Sequence, residues 1–345
     1  MDAVVDPLDA LSEIAYWMER GRGETRRVEA YRKAAWALAA LPAGELAERV
    51  AAQTLTEVAN VGPSTSAVVI EASTGVVPKK LADLREKGKG PLVEGGEVLR
   101  AQLRGDLHAH SNWSDGGSPI EEMVKAARGL GHEYLALTDH SPRLTVARGL
   151  TAERLTEQLA VVEEINRDGS ADGFRLLPAI EVDILEDGGL DQTPTMLDKL
   201  DIVVASVHSK LRADSETMTV RMVGGIANRH TNVLGHCTGR LVEGSRGIRP
   251  ESEFDAEVVF AACAQFDVAV EINSRPERRD PPSRLIAVAI EAGCLFSVDT
   301  DAHAPGQLAF QDYGCARAIA NGVPAERVVN AWPLNRLLAW SHAKH

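Results

Sequence analysis

Six of the ten histidines stand in short polar clusters, and several of those clusters also carry an acid. They are Asp106-Leu107-His108-Ala109-His110 with Asp115 beyond, then Thr138-Asp139-His140, Glu181, His208, His236 and Asp301-Ala302-His303. Imidazole and carboxylate together suit divalent first-row metals such as Mn, Fe and Zn. His108, His110, Asp115, His140, Glu181, His208, His236, Asp301 and His303 are too many ligands for one ion. Two or three ions are therefore expected, with a carboxylate such as Glu181 bridging. His132, His230, His342 and His345 stand alone, with nothing spaced around them, and read as ordinary surface or core groups.

Such residues need elements that bring them together. From residue 101 onward, short β-prone runs at 103–110, 134–138, 175–180, 202–207, 232–234, 268–272 and 295–298 alternate with helical patterns near 118–130, 151–167, 215–229, 252–265, 282–292 and 309–321, and less clearly 190–200. Seven strands alternating with helices predict a parallel α/β architecture, and closure into a (β/α) barrel lets all seven strand ends converge. Each cluster falls at the end of one of these runs, where barrels of this kind build their active sites. His108 and His110 are two residues apart, so an extended strand turns both to one face.

The first hundred residues have a different texture. Amphipathic patterns run through 7–41, broken by Gly21-Arg22-Gly23, with further helical stretches near 44–52 and 54–59 and an apolar run at 67–72. This predicts a small all-helical domain over 1–87, a Gly- and Pro-containing linker over 88–100, and the barrel over 101–345.

Composition sets outer bounds. The formal charge is −13, with 13 basic and 15 acidic residues in the first hundred and 24 against 35 in the rest. That balance opposes nonspecific binding of nucleic acid through bulk charge, although bound metal ions would supply positive charge locally. Cys237, Cys263, Cys294 and Cys315 are spaced as neither a zinc knuckle nor a disulfide framework, and are expected to be reduced core residues. No apolar run would span a bilayer, and a start carrying Asp2, Asp6 and Asp9 lacks the basic region of a signal peptide, so the expected location is the cytoplasm.

The motifs DLHAHSNWSDG (106–116), TDH (138–140), AIEVDIL (179–185), SVHS (206–209), LGHCTGR (234–240) and TDAH (300–303) resemble those of the polymerase and histidinol phosphatase (PHP) family of metallohydrolases, in order and spacing, across residues 103–330. The resemblance implies a distorted seven-stranded (β/α) barrel holding up to three ions. His108, His110, Glu181 and Asp301 would hold one, Asp115, His140 and His303 a second, and Glu181, His208 and His236 a third. Within the family, LGHCTGRL, VEINSRPERRD and TDAH look most like the C-terminal exonuclease module of bacterial family X DNA polymerases, with Cys237 where proline is usual and Arg279 where leucine is usual. RRVEAYRKAAWAL (26–38) and the helix-hairpin-helix-like EVANVGPSTSAVVIEASTG (57–75) look like the N-terminal domain of the same polymerases. Asn60 replaces the first glycine of that hairpin, a position where Asn accepts a left-handed backbone. The short linker leaves no room for a polymerase palm, so DNA synthesis is excluded. No lysine lies between Gly62 and Gly75, and a Schiff-base lyase activity is not expected.

The implied chemistry is hydrolysis of a phosphate ester by a metal-bridging hydroxide. Arg240, Arg278, Lys210 and Arg143 are the candidates for clamping the ester, and Asp139 beside His140 is a candidate general acid. The backbone N–H groups of Val61 and Gly62, with the helix start at Ser64, are candidates for holding a DNA phosphate. The leading expectation is a 3′–5′ exonuclease or 3′-end phosphodiesterase acting on DNA in repair, with manganese favoured and zinc or iron as alternatives. A phosphatase for small monoesters such as histidinol phosphate or a nucleotide, and a noncatalytic DNA-binding scaffold, are the competing readings.

Overall fold

A computed structural model of the chain describes residues 5–168, 173–244 and 247–343. Asp2 and His345 lie outside these, as do the outermost ends of the two expected domains. The chain divides into two compact units, Met1–Pro91 and Leu92–His345. The division falls inside the segment read as a linker. Within that segment Glu97–Arg100 is helical and its Leu99 is fully buried, so the second half of the segment packs as part of the larger unit.

The first unit contains helices α1 (Pro7–Arg20), α2 (Thr25–Ala39), α3 (Glu45–Ala52), α4 (Pro63–Ser73) and α5 (Lys79–Lys87). Helix α1 begins because Asp6 accepts from the Leu8 and Asp9 amides and Pro7 occupies the first turn, where its missing N–H costs nothing. Leu11, Ile14, Val28, Tyr31, Leu38, Val69 and Leu81 form the core. The stretch expected to be helical at 54–59 is only a 3₁₀ turn at Leu55–Glu57, because Asn60 leaves the helical region with φ 67°.

The second unit is a parallel seven-stranded sheet in the order β1 (Gly105–Ala109), β2 (Tyr134–Leu137), β3 (Arg175–Asp183), β4 (Ile202–Ser206), β5 (Val233–Leu234), β6 (Ala269–Asn273) and β7 (Phe296–Asp299). After the short helix α6 (Glu97–Arg100), helices cross between successive strands: α7 (Ile120–Gly129), α8 (Ala152–Asp168), α9 (Pro194–Leu197), α10 (Ser215–Ile226), α11 (Ala256–Gln265) and α12 (Ser283–Glu291). Ile180, Val182, Val203 and Val270 join the apolar layer that includes Met218, Phe260 and Ile286 of these helices. The opposite face of β3 carries Leu177 and Ala179, which share a second cluster with Val204, Val233, Ala269 and Trp332 inside the barrel. Strand alternation continues that inner face to Glu181 and Asp183, so the same periodicity that fills the barrel aims two acids at its mouth.

Between β1 and β7 the ladder is replaced by a bridge between Ala109 and Ala302 and by side chains. The Gln311 amide donates to the Gly105 and Val298 carbonyls at 2.9 and 3.0 Å, and Asp299 accepts from the Leu107 amide at 2.9 Å. This makes the barrel nearly closed and distorted, as expected. Strand β3 runs three residues further than its apolar pattern suggested, which puts Glu181 within a strand rather than beyond one. All four cysteines are free and buried, in keeping with reduced core residues. Among the described residues no helix is long and apolar enough to cross a membrane.

Candidate metal centre

The nine expected ligands converge on one basin at the C-terminal ends of the strands. Glu181 is its centre: Oε2 lies 3.4 Å from His108 Nε2 and 3.6 Å from His110 Nε2, while Oε1 lies 3.3 Å from His208 Nε2 and 3.0 Å from His236 Nε2. Asp301 Oδ1 stands 3.4 Å from His110 Nε2. Asp115 Oδ1 stands 3.4 Å from His140 Nε2 and 3.3 Å from His303 Nε2. Two donors bound to one ion at about 2.1 Å are roughly 3.0–3.4 Å apart, so these spacings are those of ligands around shared ions. Glu181 Oε1 and Oε2, His108 Nε2, His110 Nε2 and His208 Nε2 are buried with no hydrogen-bond partner. Leaving such atoms unpaired costs about 1–3 kcal/mol each, and divalent cations are the partner this donor set fits.

The charge state agrees. Burial pushes the Glu181 carboxyl up, but the His108, His208 and His140 imidazoles overcome it and hold the group well below the usual carboxylate range. Asp301 is held down likewise, against its burial, by Arg278. Burial, reinforced by the neighbouring His303 and His140 rings, lowers His110 to about 3 and keeps it a neutral donor.

A layer of partners behind the ligands fixes their orientation, and most of it was missed from sequence. Glu271 Oε1 lies 2.6 Å from His108 Nδ1, and Oε2 accepts from the His236 amide at 2.6 Å. Asp183 accepts from the His208 amide at 2.9 Å, and His303 Nδ1 lies 2.9 Å from the Asp301 carbonyl. An acid that orients a ligating imidazole fixes its tautomer and strengthens it as a donor. The available signal was an acid inside an otherwise apolar strand, as in Val270-Glu271-Ile272.

Several expectations about neighbouring residues require correction. Asp139 is fully buried and accepts from the Ser111 amide, the hydroxyls of Ser111 and Ser114, and Gln158 Nε2. With its lone pairs engaged it anchors the 111–114 loop and has no face open to a leaving group. Arg240 donates to the Arg278 and Arg279 carbonyls and to Glu251, and half-exposed Arg143 faces Glu186 at 3.5 Å, so neither points into the basin. Arg278 does, with Nε 2.9 Å from Asp301 Oδ2 and the side chain buried. Arg275, which sequence reasoning passed over, joins it: Nη1 is 3.1 Å from the Asp301 carbonyl and 3.0 Å from His303 Nδ1. Lys210 is exposed in the loop that follows His208. The Val61 amide donates to the Val58 carbonyl and the Gly62 amide to Thr65 Oγ1 at 2.9 Å, so neither N–H is free for a phosphate. Of that trio only Ser64, exposed in the first turn of α4, keeps an open position. The isolated histidines are structural: His132 is buried beside Arg100, His230 binds Asp198, and His342 lies 3.1 Å from Asp201.

Comparison with known proteins matches residues 106–275 to the PHP domain and residues 5–74 to a helix-hairpin-helix domain. The DNA polymerase/3′-5′ exonuclease PolX of Bacillus subtilis is 36% identical over 239 residues, covering 69% of this chain and 41% of the relative. This chain thus spans about two fifths of that protein's length. A probable phosphatase of Citrobacter koseri is 28% identical over 254 residues, covering 69% of this chain and 94% of the relative. Among solved structures, the histidinol phosphate phosphatase of Lactococcus lactis, complexed with zinc, L-histidinol and phosphate, aligns with a TM-score of 0.45 at 17% identity, over 64% of this chain and 94% of that one. Residues 106–275 thus form a PHP domain, and the family of that domain is one of metal-dependent phosphoesterases. The chain carries a helix-hairpin-helix domain ahead of its barrel.

Proposed function

We propose that this protein is a metal-dependent phosphoesterase that hydrolyses phosphodiesters at DNA 3′ ends, as an exonuclease or 3′-end phosphodiesterase in repair. The observation that carries the reading is the pairing, in one chain, of nine candidate ligands gathered in one basin with a helix-hairpin-helix domain. Its support is the Bacillus relative named as a 3′-5′ exonuclease. The nine ligands would hold two or three divalent ions, with manganese favoured and zinc or iron as alternatives. Such ions supply a nucleophile at neutral pH and neutralise charge on the phosphoryl oxygens.

The chain's own residues do the rest. Glu271 and Asp183 orient His108, His236 and His208, so the donors are preset before substrate arrives. Arg278 holds Asp301 through Nε, and among the described residues its two terminal nitrogens have no hydrogen bond, leaving a forked donor for a phosphate. Arg275 and Lys210 add positive charge at the rim. The four buried thiols suit a reducing compartment such as the cytoplasm.

A second reading, a phosphatase for small monoesters, is favoured by the probable phosphatases whose length the barrel nearly fills. The two separate on a substrate panel. Full-length, manganese-loaded protein is given 5′-labelled single-stranded DNA, p-nitrophenyl phosphate and histidinol phosphate. Progressive shortening of the DNA supports the diesterase, whereas turnover of the monoesters alone overturns it in favour of the second reading. His208→Ala and Asp301→Ala should each lower turnover by orders of magnitude, and full activity in either variant would sink the metal mechanism.

A further inference from the structure

The three ligand groups are built differently. His108 and Glu181 lie within strands, and His208, His236 and Asp301 follow within two residues of strand ends. Asp115, by contrast, hangs on the 111–118 loop, six residues beyond β1, with its side chain 37% exposed. A ligand on a loop needs something to hold the loop.

Two arginines do so from outside the basin. Arg148 donates through Nη2 to the Asn112 carbonyl and through Nε to the Ser114 carbonyl at 3.2 Å, and Arg154 Nη2 donates to the Trp113 carbonyl between them. Three consecutive carbonyls immediately before Asp115 are thus taken by two guanidinium groups. Arg154 Nη1 also donates to the Arg148 and Gly149 carbonyls, which locks the two arginines into one unit. Arg154 lies in the first turn of α8, where a cation opposes the helix dipole, so its position there has another cause. Among the described residues neither arginine pairs with a carboxylate. Their donors are spent on backbone.

The same unit reaches a second ligand. The 141–150 loop closes back on His140, because the Leu150 amide donates to the His140 carbonyl at 2.7 Å. Gly149 packs so closely that a Cβ there would stand 1.8 Å from the Ser141 carbonyl oxygen. Arg148, in left-handed backbone with φ 55°, sits in that loop and grips the loop of Asp115. His303, the third ligand of the group, is tied to the same assembly by the Gly117 amide, 2.6 Å from its carbonyl.

We propose that Arg148 and Arg154 are positioning residues that set the metal affinity of the Asp115, His140 and His303 site more strongly than that of the two sites built on Glu181, which His140 touches through its other nitrogen, Nδ1 lying 2.8 Å from Glu181 Oε2. The inference rests on reading those three residues as a metal site. Manganese(II) alone is the probe: full-length protein stripped of metal is titrated, free manganese is followed by electron paramagnetic resonance, and bound metal is measured by elemental analysis. Arg148→Ala with Arg154→Ala should weaken one ion by about 10- to 100-fold, the usual effect of removing an outer support, and every other ion by clearly less. Asp115→Ala should lose that same ion. If Asp115→Ala binds as many ions as the unaltered protein, the site reading fails. If Asp115→Ala drops one ion while the double arginine variant keeps it at unaltered affinity, the clamp is overturned, and equal weakening of every ion overturns it too. Should the alanine pair not fold, Arg148→Lys with Arg154→Lys keeps the charges but not the forked donors. Unaltered affinity for every ion in that variant would equally refute the clamp.

Discussion

Glu271 touches two ligands without being one, which makes it a test of how far orientation alone supports the centre. It lies against His108 Nδ1 and the His236 amide and also raises the pKa of neighbouring Asp299, whose burial is the larger cause. Glu271→Gln keeps the shape and removes the charge. Manganese affinity should fall about 10- to 100-fold, and the metal-free protein should unfold at a lower temperature, because the buried His108–Glu271 pair, 2.6 Å apart, loses its charge. A titration showing unchanged affinity would contradict the orienting role. The candidate ligands, which the fold brings into one basin, were legible in sequence because histidine is rare in strand-like apolar runs. Glu271 and Asp183 were not, since a lone acid between apolar neighbours reads alike whether it meets water, an imidazole or another strand. Asp139 shows the converse: its place beside His140 suggested proton transfer, and only the fold reveals Ser111, Ser114 and Gln158 upon it.

Elements were legible to the extent that their periodicity was not interrupted by function. Strand β3 looked short because Glu181 and Asp183 break its apolar run, yet both obey its two-residue repeat. The hairpin before α4 was recognisable, but sequence does not show Thr65 reaching back to the Gly62 amide and taking the donor that a phosphate would need. In the helical unit, Glu13 of α1 receives Arg85 of α5 through two bonds of 2.6 Å and the Trp17 indole N–H at 2.9 Å. Partial burial pushes its pKa up, but Arg85 and Trp17 outweigh that and hold it below the ordinary 4.5. A carboxyl lowered on folding contributes stability that is present above its unfolded pKa and lost as pH falls through the folded value. Thermal unfolding followed between about pH 5 and pH 3 should therefore show a decline that Glu13→Gln lessens. An identical slope in that variant would mean that the pairing adds nothing, as many half-exposed ion pairs do.

At the scale of the whole molecule, the alternation of strands and helices was enough to give a parallel sheet in chain order, and the residue spacing gave the end at which the nine candidate ligands gather. The seam between β1 and β7 was not readable, because Gln311, Asn330 and Asp299 close it with side chains from distant positions. Removing metal should be felt by the barrel as a whole. At 100-fold excess over its dissociation constant, each ion contributes about 2.7 kcal/mol, so chelation should lower the unfolding temperature by roughly 5–10 °C per site, and added manganese or zinc should restore it. Calorimetry that shows no shift would mean that the buried imidazoles and Glu181 are satisfied without an ion. Glu181 carries one more consequence. Its single carboxylate offers one oxygen to the His108 and His110 side and the other to the His208 and His236 side. Electron density drawn toward a cation on one flank is no longer available on the other, and the two cations repel. Occupancy of either flank would thus penalise the next arrival, so a pair of cations held there would fill in succession, with unequal constants, rather than as two independent vessels.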